Sequence, residues 1–345
     1  MRLRRSSVET PGIARRRRGK GFSYEDAVGN AVRDEETLER IRALAIPPAW
    51  GEVWICADPV GHIQAAGTDA AGRRQYLYHA DWRARRDAEK FDRMLAFAQA
   101  LPRLRERVAL DLSLRGMPKD KALACAVRLL DQGFFRVGSE SYARQNGSFG
   151  LATLRKEHVK VQKDLIVFDF KAKSGVRRVQ TVHDPAVAPL VRTMKLRRSG
   201  GRELLTYRQG PRWRDVRSSD INEYVRDAAG GEFTTKDFRT WHGTVLAAVF
   251  LATGEKDANG ATSRKRIVSA SIREVAGYLG NTPAVARASY VDPRIVDRFE
   301  EGVTIAATLE RLPVDEPTDA IFREGVEAAV LDLLQEDPAP ATRAA

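Results

Sequence analysis

At 345 residues the chain exceeds one typical hydrophobic core, so two domains are expected. Apolar residues make up 43% and charged residues 30%, an ordinary globular balance, and no apolar run approaches the ~20 residues of a spanning helix, which excludes a helical membrane protein. The formal charge of +12 is uneven: residues 1–20 carry a surplus of seven bases and residues 301–345 a deficit of seven, so the stretch 21–300 holds the whole excess and suits a polyanion, DNA or RNA ahead of an anionic membrane.

Taken in chain order, residues 1–20, with Arg15 to Arg18 in a row, read as a disordered basic arm that lacks the apolar stretch of a secretory signal. A helix is expected over 24–44, ended by Pro47-Pro48. Short β-rich runs follow at Val53–Cys56, at His62–Ala65 and near 75–79, the last after a turn at Ala71-Gly72, giving a small α+β unit over 21–82. From about 81 the period turns helical: Phe91, Met94, Leu95, Ala98 and Leu101 share one face. Another helix is expected over 119–132, with Gly133 as its stop. Strands are expected over 165–170 and 176–182 around a tight turn at Lys173-Ser174-Gly175, with a third near 203–208.

Helices then dominate, at 184–197, 218–229, 236–253, 264–279, 283–289, 294–311 and 318–335, and the tail over 337–345 is expected to be disordered. The fold class is therefore α+β: a small N-terminal domain with an antiparallel sheet, then a larger, mainly α-helical domain over 83–336 with a small three-stranded antiparallel sheet. Cys56 and Cys125 are too few for a disulfide framework or a four-ligand zinc site and read as buried thiols of a cytoplasmic protein.

Familiar nucleotide and metal motifs fail. Gly12 and Gly19-Lys20 stand at the wrong spacing for a phosphate-cradling loop, and the five histidines show no ligand spacing, so no metal, cofactor or nucleotide is expected. What remains is a phenol and scattered cations. Transfer of a phosphodiester to a side chain builds charge on the non-bridging oxygens, and arginine, planar and always charged, is the side chain suited to hold them without a metal.

Arg136, in Phe134-Phe135-Arg136-Val137-Gly138, sits between an apolar helix end and a glycine turn. Arg239, in Thr235-Lys236-Asp237-Phe238-Arg239, opens a helix that Thr234 or Thr235 can cap. Lys236 and Arg239 there share a face that an anion would relieve, beside a helix N-terminus that also favours one. Lys173 at a hairpin tip can carry an ammonium to a leaving oxygen, although periodicity alone does not choose between it and Lys171. Tyr290 ends a short helix nine residues after Asn281; an ordinary phenol titrates at ~10, and nearby arginines favour its ionised, nucleophilic form.

These residues resemble the type IB DNA topoisomerases of the poxvirus and bacterial branch. The matching stretches are Ile46-Pro47-Pro48-Ala49-Trp50, Gly72-Arg73-Arg74-Gln75-Tyr76, Phe135-Arg136-Val137-Gly138, Gly150-Leu151-Ala152-Thr153-Leu154, Lys236-Asp237-Phe238-Arg239-Thr240, Leu279-Gly280-Asn281 and Ser289-Tyr290, in family order over about 46–294. The resemblance implies Arg136, Lys173, Arg239, Asn281 and Tyr290 as the catalytic set, with Lys173 preferred to Lys171. It implies DNA contacts by Arg73, Arg74, Gln75, Tyr76, Tyr78, Tyr142, Lys156 and Lys236, and a monomer that clamps double-stranded DNA in the bacterial nucleoid.

The implied activity is relaxation of supercoiled DNA without ATP, through a 3′-phosphotyrosine link and strand swivelling. One departure stands out: the viral branch has histidine where this chain has Asn281, an amide that donates hydrogen bonds but exchanges no proton near neutrality. Site-specific tyrosine recombinases are the nearest alternative; they usually place histidine where this chain has Lys236 and favour a helical front domain. A non-catalytic DNA-binding protein would need the basic middle but not the nucleophile.

Overall fold

The computed structural model describes residues 2–312 and 320–335. The chain divides into two compact units, Met1–Asp92 and Arg93–Ala345. The first contains a five-stranded antiparallel sheet of β1 (Ile13–Arg18), β2 (Gly21–Glu25), β3 (Gly51–Ile55), β4 (Ile63–Thr68) and β5 (Arg74–Tyr78), in spatial order β2-β1-β3-β4-β5. A helix, α1 (Glu35–Ala43), lies between β2 and β3 in the chain, and its Ile41 packs with Ile13, Val53, Ile55 and Ala65 as the core of this unit.

Two expectations for this unit are corrected. The arginine run of the basic arm, Ile13–Arg18, is a sheet strand, because its arginines find acceptors that composition does not reveal. Arg15 donates to the carbonyls of Ile46, Pro47 and Trp50 and lies 4.2 Å over the Phe22 ring, while Arg16 pairs with Glu25. Ile13 is buried and opens a strand that pairs with β3 at its start and with β2 from Ala14 to Arg18. The helix expected over 24–44 begins only at Glu35, since Tyr24 belongs to β2 and Asp34 caps the helix by accepting from the Thr37 N–H.

A long helix, α2 (Ala80–Leu112), runs through the expected boundary at 82/83, and the division falls within it. Its expected apolar face is real: Phe91, Met94, Ala98 and Leu101 are buried and Leu95 is half-buried. The second unit continues with α3 (Lys119–Gly133), α4 (Glu140–Asn146), β6 (Val159–Gln162), β7 (Leu165–Lys171), β8 (Arg177–His183) and α5 (Ala188–Leu196). A separate hairpin of β9 (Thr206–Gln209) and β10 (Arg212–Asp215) precedes the helices α6 (Ser218–Ala229), α7 (Thr235–Gly254), α8 (Ala261–Leu279), α9 (Pro283–Tyr290), α10 (Pro293–Glu300), α11 (Ala306–Arg311) and α12 (Ala320–Gln335).

The small sheet is three-stranded and antiparallel, but in the order β6-β7-β8: its third strand is Val159–Gln162, and the segment expected near 203–208 pairs with β10 instead. The expected helix over 294–311 is two helices. Gly133 is not the stop of α3; it is the last helical residue, and Phe134 takes the left-handed cap conformation at φ 54°. That conformation costs a non-glycine residue about 1 kcal/mol or more. Tertiary contacts hold it, because the Phe134 ring packs edge-on to His242 and Tyr278. The tail over 337–345 lies outside the described residues.

Helix α7 is the spine of this unit. Apart from the exposed Lys236, its first turns are buried, with Phe238 and Trp241 enclosed. A buried ionic cluster fixes α12 nearby: Arg105 of α2 grips Asp131 of α3 and Glu327 of α12, and Arg323 also faces Asp131. Both cysteines are buried free thiols, and among the described residues no helix is long and apolar enough to cross a membrane.

Candidate active site

A cleft of 370 Å³ in the second unit is lined by Arg136, Tyr142, Lys173, Lys236, Arg239 and Tyr290, with small and apolar residues between them. It presents four cations and two phenols, and no carboxylate stands among its lining residues.

Arg239 is placed by the cap of α7. The Asp237 carboxylate accepts from the Thr234 N–H at 2.8 Å, from its hydroxyl at 3.0 Å, and from Arg93 at 2.7 Å, which locks the first turn. The Arg239 guanidinium is buried, donates to the carbonyls of Phe134 (2.7 Å) and Leu279 (2.8 Å), and keeps its Nε without a partner. Arg136 leaves α3 just after the Phe134 cap. Its backbone is pinned by Leu151, whose N–H donates to the Arg136 carbonyl at 2.8 Å, and its side chain donates to the Gly280 carbonyl (3.0 Å) and to Asn281 Oδ1.

Asn281 follows Gly280, the left-handed C-cap of α8 at φ 59°. Its Oδ1 is taken by Arg136, and its Nδ2 is buried without a hydrogen-bond partner, a donor left open. Asn281 does not itself line the cleft. Lys173 sits in the β7–β8 turn, closed by the Ala172 N–H donating to the Val176 carbonyl and the Gly175 N–H to the Ala172 carbonyl. It lines the cleft and Lys171 does not.

Tyr290 is the last residue of α9, a helix capped by Thr282 with Pro283 at its first position. Gly243 of α7 lets this segment approach: a Cβ there would stand 2.6 Å from the Tyr290 carbonyl oxygen. The Thr244 hydroxyl donates to that carbonyl at 3.3 Å and accepts from the Asp292 N–H at 3.1 Å. The phenol ring lies under the Arg239 guanidinium, 5.0 Å from its carbon to the ring centroid. Burial opposes ionisation of the phenol, but the charges of Arg239, Arg136 and Lys236 outweigh it and bring the pKa below the ordinary value. Burial lowers the proton affinity of Arg136, and burial together with the neighbouring Arg136 charge lowers that of Arg239.

Sequence reasoning missed one member of this cation cluster. Arg178 of β8 is half-buried, and its guanidinium donates to the Tyr278 carbonyl and, at 3.1 Å, to Gln180 Oε1. The signal was present in strand parity, since Arg178 shares a side with the buried Gln180 and Val182. Among the residues expected to touch DNA, Tyr142 and Lys236 line the cleft, whereas Lys156 donates to the Arg197 carbonyl at 3.0 Å and stands outside it. The others lie on the first unit. Arg73 and Arg74 are exposed, as are Tyr76 and Tyr78, whose rings stack 6.3 Å apart on the outer side of β5, so these tyrosines are not sheet core. Gln75 is held by Asp69 at 2.9 Å.

Comparison with known proteins agrees with this geometry. A family described as "Eukaryotic DNA topoisomerase I, catalytic core" matches residues 79–308, and "Bacterial DNA topoisomerase IB, N-terminal domain" matches residues 21–69. The chain is 33% identical over 320 residues to DNA topoisomerase 1B of Acanthamoeba polyphaga mimivirus, covering 90% of this chain and 94% of the relative. It is 21% identical over 289 residues to DNA topoisomerase 1B of vaccinia virus (strain Copenhagen), covering 82% and 88%, and to the same extent to DNA topoisomerase I of monkeypox virus. The two family matches tile both units and the first relative spans nearly the whole chain: this protein belongs to the type IB DNA topoisomerases, which are isomerases.

Proposed function

We propose that the protein relaxes supercoiled double-stranded DNA without ATP, by reversible transfer of one strand to Tyr290. The observation that supports this most directly is the phenol under a guanidinium in a cleft of four cations without a carboxylate. The Tyr290 oxygen attacks phosphorus, the P–O5′ bond breaks, and a 3′-phosphotyrosine and a 5′ hydroxyl result. Arg136 and Arg239 hold the non-bridging oxygens, the open Asn281 Nδ2 donates to one of them, and Lys173 delivers the proton to the leaving 5′ oxygen. Phosphodiester bond energy is kept in the covalent link, so after the strand swivels the hydroxyl reverses the step with no energy cofactor.

Arg73, Arg74, Tyr76 and Tyr78 of the first unit give a second DNA-contacting surface, and the two units together enclose the duplex as a monomeric clamp. The test uses negatively supercoiled plasmid with chelator and no ATP. The wild-type protein should relax it and leave a covalent adduct on detergent quench. Tyr290→Phe should do neither while still binding DNA; relaxation by that variant would refute the reading.

A further inference from the structure

Three successive carbonyls end helix α8, and each accepts from an arginine of a different segment. Tyr278 accepts from Arg178 of β8, Leu279 from Arg239 of α7, and Gly280 from Arg136 after α3. The last carbonyls of a helix have no partner inside it and carry the negative end of its dipole. Here they assemble three guanidiniums that would otherwise repel. Gly280 is where they crowd: a Cβ there would collide with Arg178 Nη1 and lie 3.7 Å from Arg136 Nη1. Arg136 and Arg239 belong to the chemistry proposed above. Arg178 does not line the cleft, and its guanidinium is committed to Gln180 and Tyr278.

Its position in the chain suggests what it does. Arg178 stands opposite Phe170 in the β7–β8 pairing, next to the turn that bears Lys173. Lys173 itself is exposed on a turn closed by two local backbone bonds, and these bonds do not fix where its ammonium lies. The bond from Arg178 to Tyr278 ties this hairpin to the segment that carries Gly280 and Asn281. We propose that Arg178 is a positioning residue, the tether that docks the Lys173 hairpin on the C-terminal end of α8 so that proton delivery to the leaving oxygen is aligned with the phosphate-holding arginines. Burial and the neighbouring Arg136 charge lower the proton affinity of Arg178, as expected of a guanidinium drawn into this cluster rather than left in water. This inference rests on Tyr290 as nucleophile and Lys173 as acid.

The test compares leaving groups. A sulfur at the bridging 5′ position leaves without being protonated, so a defect in proton delivery disappears with it, while a defect in folding, DNA binding or phosphate holding does not. The scissile phosphate is mapped with wild-type protein, and duplexes are made with oxygen or sulfur at that bridge. Single-turnover adduct formation is then followed for wild type, Arg178→Ala, Arg178→Lys and Lys173→Ala. Misplacing a general acid forfeits part of the 10²–10⁴-fold such groups supply, so Arg178→Ala should slow the oxygen duplex by roughly 10- to 100-fold.

The same variant should cut the sulfur duplex within about threefold of wild type, and adding Lys173→Ala should cost little more than Lys173→Ala alone, because the two act as one unit. Arg178→Lys, which keeps the charge and loses the fork, should recover part of the rate. Equal slowing on both duplexes, or no slowing on either, overturns the tether. The underlying reading fails separately: wild type would form no adduct, or Lys173→Ala would gain nothing from sulfur.

Discussion

Two hairpins of this protein each carry a pair of adjacent arginines, and they treat them differently. In the β4–β5 hairpin, Arg73 and Arg74 are both exposed; Arg73 pairs with Asp69 and Arg74 reaches only the Glu52 carbonyl at 3.3 Å. In the β7–β8 hairpin, Arg177 is likewise exposed and paired with Asp169, but Arg178 turns inward to a helix end. Strand parity sends one of two neighbours to each side, and what differs is the acceptor waiting inside. Exposed cations attract DNA through a field that salt screens within about 10 Å. Buried ones, held by backbone carbonyls, are fixed before the phosphate arrives and need no reorganisation when charge develops on it.

The sharpest way to break that contrast is to remove a carbonyl-held cation. Arg239→Ala should lower single-turnover cleavage by about 10²–10³-fold, the usual loss when one charge-stabilising donor is removed. Its binding at low salt should change far less, because the basic surface remains. A filter-binding titration alongside the cleavage assay separates the two effects. Comparable losses in affinity and rate would mean that Arg239 acts as another surface cation.

Next in size is a change that leaves every cation in place and moves the nucleophile. A Cβ at Gly243 would meet the Tyr290 carbonyl oxygen at 2.6 Å and its Cβ at 3.1 Å, so Gly243→Ala forces α9 away from α7. Misplacing a reacting atom by about 1 Å costs on the order of 10²-fold. Cleavage by Gly243→Ala should therefore fall by roughly tenfold to 100-fold with DNA affinity unchanged. An unaffected rate would show that Tyr290 is delivered by motion rather than held by this contact.

Much of this arrangement was legible in the sequence, and the part that was not has a common cause. Helix α6 lies where its periodicity put it, and of the five residues the resemblance singled out Arg136, Lys173, Arg239 and Tyr290 line one cleft while Asn281 meets it only through Arg136. The arginine run of β1 was misread because its acceptors, the carbonyls of Ile46, Pro47 and Trp50, lie about thirty residues away in the chain and have no side-chain signature. The same blindness hid Arg178, whose acceptor is the backbone of Tyr278, a hundred residues on. The left-handed Phe134 also escaped, since local preference points to Gly133 and only packing against His242 and Tyr278 reverses it. Patterns of side chains locate elements; bonds to main-chain carbonyls are written in no residue type.

A smaller effect is expected from pH. The Tyr290 pKa lies below the ordinary ~10, because three cations outweigh burial. Adduct formation should thus rise with pH and level off below ~10. Lys236→Gln removes the weakest of the three lowering charges and should move that inflection upward slightly. Stability follows the same sign: a phenol with a depressed folded pKa adds stability that is fully present above ~10 and is lost as pH falls through the folded value. Urea midpoints of wild type and Tyr290→Phe should therefore diverge only on the alkaline side. A difference that instead grows toward acid pH would mean that the cations do not favour the phenolate.

The smallest expected effect belongs to the other hairpin, and it differs in kind. Arg74→Ala removes an exposed cation that touches only a carbonyl at 3.3 Å, so it should leave the cleavage rate of bound DNA unchanged. If Arg74 neutralises one phosphate, the slope of log affinity against log salt should flatten by about 0.9, uniformly across DNA sequences. Tyr76→Ala should instead weaken binding without altering that slope, because a neutral ring releases no counterion. The pair therefore separates charge from contact on one strand, where Arg74 and Tyr76 point to the same exposed side. Should Arg74→Ala slow cleavage of saturating DNA, this surface would be part of the preorganised machinery, and the division between the two hairpins would fail on the side where it now looks safest.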